Sequence, residues 1–171
     1  VAGNVLDILR VSAPIVMIAL GMTFVIATSG IDLSVGSVMA VGGAIAMVTL
    51  SSLDQPASVG AMFAAIGLAV LLGAVLGAVN GFLVAVVGLQ PFISTLVMML
   101  AGRGIARVIT GGQNTNAENA PFRALANGQF LGLPLSFVLA IAIVVIVSLV
   151  MRRTALGLMI ESIGINPHAS R

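Results

Sequence analysis

Uncharged and mostly apolar residues run without interruption through 11–31, 33–53, 55–102 and 124–151. A helix needs about 20 apolar residues to cross a hydrocarbon core of about 30 Å. Three of these runs therefore hold one crossing each, and the run 55–102 is long enough for two. Gly88-Leu89-Gln90-Pro91 supplies the break between those two, because proline lacks an N–H and disfavours a helical residue before it. The pattern predicts an all-α transmembrane bundle with spans near 11–29, 35–53, 59–86, 92–110 and 132–151. The fourth span is the least hydrophobic. Arg103 and Arg107 lie one turn apart in its second half, so they share a face that must meet an aqueous cavity, a protein neighbour or lipid headgroups.

The connections differ in character. Gly30-Ile31-Asp32-Leu33-Ser34-Val35-Gly36-Ser37 is too short to leave the membrane far, and 51–58 reads as a short surface loop. The segment 111–128 carries four Asn with Gln113, Glu118 and Arg123, and is expected to be the longest excursion into water. After Arg152-Arg153, the tail 154–171 reads as a short amphipathic helix, a glycine turn at Gly164 and a second helix near Pro167.

Composition agrees with the pattern. Of 171 residues, 60% are hydrophobic and 7% are charged, against about 25% charged in a soluble domain. In lipid a buried charge is costly, whereas apolar surface is not. Seven Arg against five acids leaves a formal charge of +2, with no basic run that would suggest nucleic acid. Cys is absent and His168 is the single histidine, which excludes disulfides and a His- or Cys-based metal cluster within these residues. Arginines near span ends orient the chain: Arg152, Arg153 and Arg171 mark the cytoplasmic side, which places Arg10 and 111–128 outside. No basic n-region with a cleavage site opens the chain, and both ends read as cut, so a fragment is expected.

Several positions are candidates for function, each beside a plainer role. Asp32 and Ser34 sit in the glycine-flanked break, where they either cap the next helix or belong to a broken-helix substrate site. Asn80 is an amide at membrane depth, suited to the translocation path or to an interhelical hydrogen bond. Thr95, with Thr28 and Ser29, is a weaker candidate, since hydroxyls often bond back to their own helix. Ala61, Ala65, Ala69, Gly73, Gly77, Gly81 and Ala85 form a small-residue ridge that predicts close helix packing, with Gly73, Gly77 and Gly81 at its centre. No Ser/His/acid set, phosphate-binding loop or carboxylate pair appears, so no catalytic residue and no enzyme activity are expected.

The sequence resembles the membrane permease subunits of bacterial ABC importers for ribose, xylose, galactose and related monosaccharides. The residues that carry the resemblance begin with Gly21-Met22-Thr23-Phe24-Val25-Ile26 and the break 30–37. Gly77-Ala78-Val79-Asn80-Gly81, Pro91-Phe92-Ile93-Ser94-Thr95-Leu96 and Arg103-Gly104 follow. Arg152-Arg153-Thr154, Gly157 and Gly164-Ile165-Asn166-Pro167-His168-Ala169-Ser170-Arg171 complete the set. Val97 stands where the family usually has glycine, and Gly164-Ile165-Asn166 is most similar to the galactofuranose-type branch.

The resemblance implies a single permease domain over 1–171, as a fragment of a roughly ten-span inner-membrane protein. It implies a translocation path or gate near Asp32, Ser34, Asn80 and Thr95, and a cytoplasmic coupling segment 154–171 that contacts the ATPase through Glu161, Gly164, Asn166 and Pro167. The implied partners are a separate ATP-binding subunit that holds ATP and Mg, a periplasmic sugar-binding protein, and a second permease subunit in a homo- or heterodimer, within membrane lipid. No cofactor is expected on this chain. The alternatives are an ion-coupled secondary transporter, which should carry ionisable groups at the midplane, and a non-transporting membrane scaffold.

Overall fold

The computed structural model describes residues 2–53, 58–116 and 118–165. Among them are α1 (Ala2–Ala27), α2 (Val35–Ser52), α3 (Val59–Ala85), α4 (Pro91–Ile109) and α5 (Ala120–Asn127). A two-residue hairpin, β1 (Gln129–Phe130) with β2 (Leu133–Pro134), leads into α6 (Leu135–Arg153) and α7 (Ala155–Ile165). The stretches Gly3–Ala27, Val35–Ser52, Val59–Ala85, Pro91–Ile109 and Leu135–Arg153 are long and apolar enough to cross a membrane. Their large apolar side chains turn outward, as at Ile15 (60% exposed), Val70 (66%) and Ile146 (59%). A soluble bundle would bury these groups; a bilayer or further protein must cover them here.

The five crossings match the hydrophobic pattern, with one large difference in extent. The first helix begins well before residue 11, because Asp7 and Arg10 do not end it. They lie one turn apart with Oδ1 and Nη1 3.5 Å from each other, on an accessible surface. Charge-free length therefore understates a helix whose first turns carry an i,i+3 ion pair.

The breaks between spans have local causes. The α1 helix ends in a Schellman motif: Gly30 N–H donates to the Val25 carbonyl and Ser29 N–H to that of Ile26, both at 2.9 Å. Ser29 takes the left-handed conformation this motif needs, with φ 59°. The α3 helix ends before Gly88, which has φ 81°, and α4 starts on Pro91 at its first turn.

The chain forms two compact units, Ile31–Arg123 and the residues before and after it. In the unit Ile31–Arg123, α2 packs against both α3 and α4. Ala46 and Leu50 of α2 close on Ala61 and Ala65 of α3, with Phe122 of α5 against them. Small side chains on α3 allow this approach, as the ridge predicts. The ridge is used in its first half only. A Cβ at Gly73 would touch Val38 at 3.7 Å, whereas at Gly77 and Gly81 it would meet nothing within 4 Å among the described residues. Those two glycines, expected at packing contacts, are on an open face of α3 here, so α3 is not enclosed within this unit.

The segment 111–128 is less free than its polarity suggests. Asn119 is 1% exposed. Its Oδ1 accepts from Phe122 N–H at 2.6 Å, capping α5, and its Nδ2 donates to the Ser58 carbonyl at 3.0 Å. In the other unit, α1 packs beside α6, and α7 returns against both.

Candidate functional site

Four of the polar residues in the unit Ile31–Arg123 form one hydrogen-bonded chain. Asp32 Oδ1 accepts twice from Ser34, from its backbone N–H at 2.7 Å and from its hydroxyl at 2.6 Å. The Ser34 hydroxyl proton is thereby committed, so its oxygen accepts from Asn80 Nδ2 at 3.1 Å. This fixes the Asn80 amide, whose Oδ1 accepts from the Ser94 hydroxyl at 3.0 Å. The chain runs from α4 through α3 to the break before α2 and ends on a carboxylate, where charge strengthens the last bond. Ser34 is 1% exposed, Ser94 2% and Asn80 9%.

Each member is placed by a local feature. The turn at Asp32, in which its side chain accepts the N–H two residues on, stands the carboxylate beside Ser34. Asn80 and Ser94 are equidistant from Val87 at the turn joining α3 to α4. In an antiparallel helix pair such positions face each other at one height. The Ser37 hydroxyl donates to the Ser34 carbonyl at 2.7 Å, with the Met98 carbonyl 3.4 Å away. Gly102 of α4 makes room for it, since a Cβ there would lie 2.9 Å from Ser37 Oγ. The α2–α4 crossing is close only because of that glycine.

Thr95 is buried beside this chain without joining it. Its hydroxyl is 2.8 Å from the Pro91 carbonyl of its own helix and 3.3 Å from the Ile31 carbonyl. One proton serves one of these at a time, and the shorter bond is the back-bond within α4. The cap reading of Ser34 is corrected: Ser34 occupies the N-cap position of α2, yet its side chain makes no cap bond. The hydroxyl is drawn instead into the charge-assisted bond to Asp32. Asp32, Ser34 and Asn80 are thus brought together, Thr95 is adjacent, and Ser94 joins them although its apolar sequence context does not mark it.

The tail differs from its expected form. Gly164 makes no turn but stays helical within α7, and a Cβ there would run into the Ala27 carbonyl at the end of α1. The α7 helix is apolar rather than amphipathic, with Leu158 (72%) and Met159 (60%) exposed beside an exposed Glu161. Asn166 and Pro167 lie outside the described residues.

Ser34, Asn80 and Ser94 are buried and Asp32 is half-buried, so a connected polar chain lies at the breaks of apolar helices, and comparison with known proteins decides the family. A profile described as branched-chain amino acid transport system / permease component matches residues 4–171. The chain belongs to this permease family. A fructose import permease protein of Bifidobacterium longum is 53% identical over 99% of the chain and 47% of its own length. A galactofuranose transporter permease protein of Escherichia coli is 41% identical over 99% of the chain and 48% of its own length. A ribose import permease protein of Haemophilus influenzae is 37% identical over 98% of the chain and 51% of its own length. The chain spans about half the length of these relatives. No solved structure matches it. This family member is a multi-pass membrane protein and a transporter component rather than an enzyme.

Proposed function

We propose that this chain is part of the membrane permease subunit of an ATP-driven monosaccharide importer. The observation that carries the reading is 53% identity to a fructose import permease across nearly the whole chain. The galactofuranose and ribose permeases, at 41% and 37%, support a neutral sugar as the cargo. The subunit sits in the inner membrane with 154–171 in the cytoplasm. It works beside a second permease subunit, receives sugar from a periplasmic binding protein, and is driven by a separate subunit that binds ATP and Mg.

In this reading the Asp32–Ser34–Asn80–Ser94 chain is a gate rather than a wall of the path. Ser34, Asn80 and Ser94 are buried and bonded along the chain, so they offer little to a sugar while closed. Opening it exchanges these bonds for water, each worth about 0.6–2 kcal/mol between membrane helices. That is a cost ATP binding on a partner can supply through a shift between two states. Thr95 stands beside the gate. Glu161, Gly164, Asn166 and Pro167 belong to the ATPase-facing segment, and the exposed apolar side chains of α7 give that contact its area. Gly77 and Gly81, open here, remain available for close packing by the rest of the permease.

The test is co-purification. The complete permease is expected to retain an ATP-binding subunit in detergent, and Glu161→Arg is expected to lose it while the permease stays in the membrane. Sugar uptake that follows a proton gradient, with no ATPase retained, contradicts the reading.

A further inference from the structure

At the end of the unit Ile31–Arg123 away from the gate, α2 and α4 leave an open recess of about 550 Å³. Ala40 and Gly43 of α2 give it a floor with almost no side chain, and Arg107 of α4 forms a wall. The segment just past α4 adds Gln113, Asn114 and Asn116. A second recess of about 670 Å³ shares Ala40 and Arg107 and continues along α4 to Arg103. Small-molecule sites commonly measure about 300–1,000 Å³, so each is large enough for a monosaccharide.

The lining chemistry is specific. Side-chain amides both donate and accept, and a guanidinium presents five N–H donors in a planar fork. Together they match vicinal hydroxyls, which also donate and accept. Neither arginine is held by a carboxylate among the described residues, where the ion pair is Asp7 with Arg10. Two unpaired guanidinium groups on a spanning helix are costly against lipid, so this face needs a polar neighbour, and the open recess admits water as one. The lining of the first recess holds no aromatic ring on which a sugar could stack. Contacts made by hydrogen bonds alone, in an open and wet recess, hold a sugar briefly. That suits passage rather than storage.

We infer that this recess is a transient binding site for the hydroxyls of a monosaccharide entering the path, with Arg107 and Asn114 as its main contacts. The inference rests on the permease reading above and gives that reading a sugar-facing residue set distinct from the gate. Contacts at the entrance bias which sugar proceeds, because an analogue lacking a hydroxyl leaves a polar group unpaired.

The experiment uses the complete permease with its ATPase and binding protein in proteoliposomes, with labelled fructose and ribose as probes. Asn114→Ala and Arg107→Lys are compared with the unaltered protein at matched abundance. Lys keeps the charge but loses the fork. The expected result is about a tenfold fall in sugar moved per ATP hydrolysed, equivalent to about 1.4 kcal/mol, with an altered fructose-to-ribose ratio. Stimulation of ATP hydrolysis by loaded binding protein is expected to persist. An unchanged yield and ratio overturns the inference. So does loss of that stimulation, which assigns the recess to binding-protein docking. If the unaltered protein moves neither sugar with ATP, the permease reading itself fails, and the two failures are thereby distinct.

Discussion

At the scale of single residues, the proposed gate depends on the direction of its hydrogen bonds. Ser34 has one proton, and Asp32 takes it at 2.6 Å, so the neighbour of Ser34 Oγ must be a donor. Asn80 provides one, at 3.1 Å. Asn80→Asp replaces that donor with an acceptor and adds a second carboxylate, leaving the Ser34 oxygen without its bond. A loss of about 1–3 kcal/mol is expected, larger than for Ser94→Ala, read as a lower melting temperature of the complete permease in detergent. Gly102→Ala places a Cβ 2.9 Å from Ser37 Oγ and is expected to lower stability to a similar degree in the same assay.

Residue type and depth made part of this site legible. Asn80 stands out as an amide within a long apolar run, and Asp32 as a charge between two of them. Ser94 does not, because a hydroxyl in an apolar helix ordinarily bonds back to its own backbone. Thr95 does exactly that here, at 2.8 Å to Pro91. The signal that distinguishes the two is the symmetry of Asn80 and Ser94 about Val87, which appears only once 80–94 is treated as one antiparallel pair. Ser34 was legible as a polar residue at a break, but not in its partner. A cap requires only local sequence, whereas the bond to Asn80 spans 46 positions.

At the scale of elements, α7 carries the expectation most open to experiment. Its Gly164 leaves no space for a Cβ beside the Ala27 carbonyl, while Glu161 is exposed. The two residues therefore separate an internal role from an external one. Gly164→Ala is expected to displace α7 from the end of α1, lowering coupled transport about tenfold or more while the ATPase still associates. Glu161→Arg is expected to abolish association. Measuring ATPase retention and transport for both variants checks the distinction. The element boundaries were legible where turn chemistry marks them, as at Gly88 and Pro91, and less so at the start of α1, where an ion pair extends a helix beyond its apolar run. The α5 helix and the hairpin before α6 are not legible in the sequence pattern. Their polar residues look like a water-exposed loop until Asn119 finds the Ser58 carbonyl 61 positions away.

At the scale of the whole molecule, hydropathy fixes the architecture because every backbone polar group in lipid must be satisfied within its own helix. Five spans follow from that requirement and recur in the structure. Their sidedness is a separate claim. With these 171 residues free of cysteine, Asn114→Cys and Glu161→Cys can be made in a cysteine-free form of the complete permease. A membrane-impermeant maleimide is expected to label the first from the periplasmic side, and the second only after the membrane is opened.

The central claim is that ATP on a partner subunit drives a sugar through this protein. The most direct measurement is uptake of labelled fructose into proteoliposomes holding the complete permease, its ATP-binding subunit and its loaded binding protein. Uptake that requires hydrolysable ATP and survives collapse of the proton gradient is the predicted result. Uptake that proceeds without ATP and stops when the gradient is collapsed would contradict it.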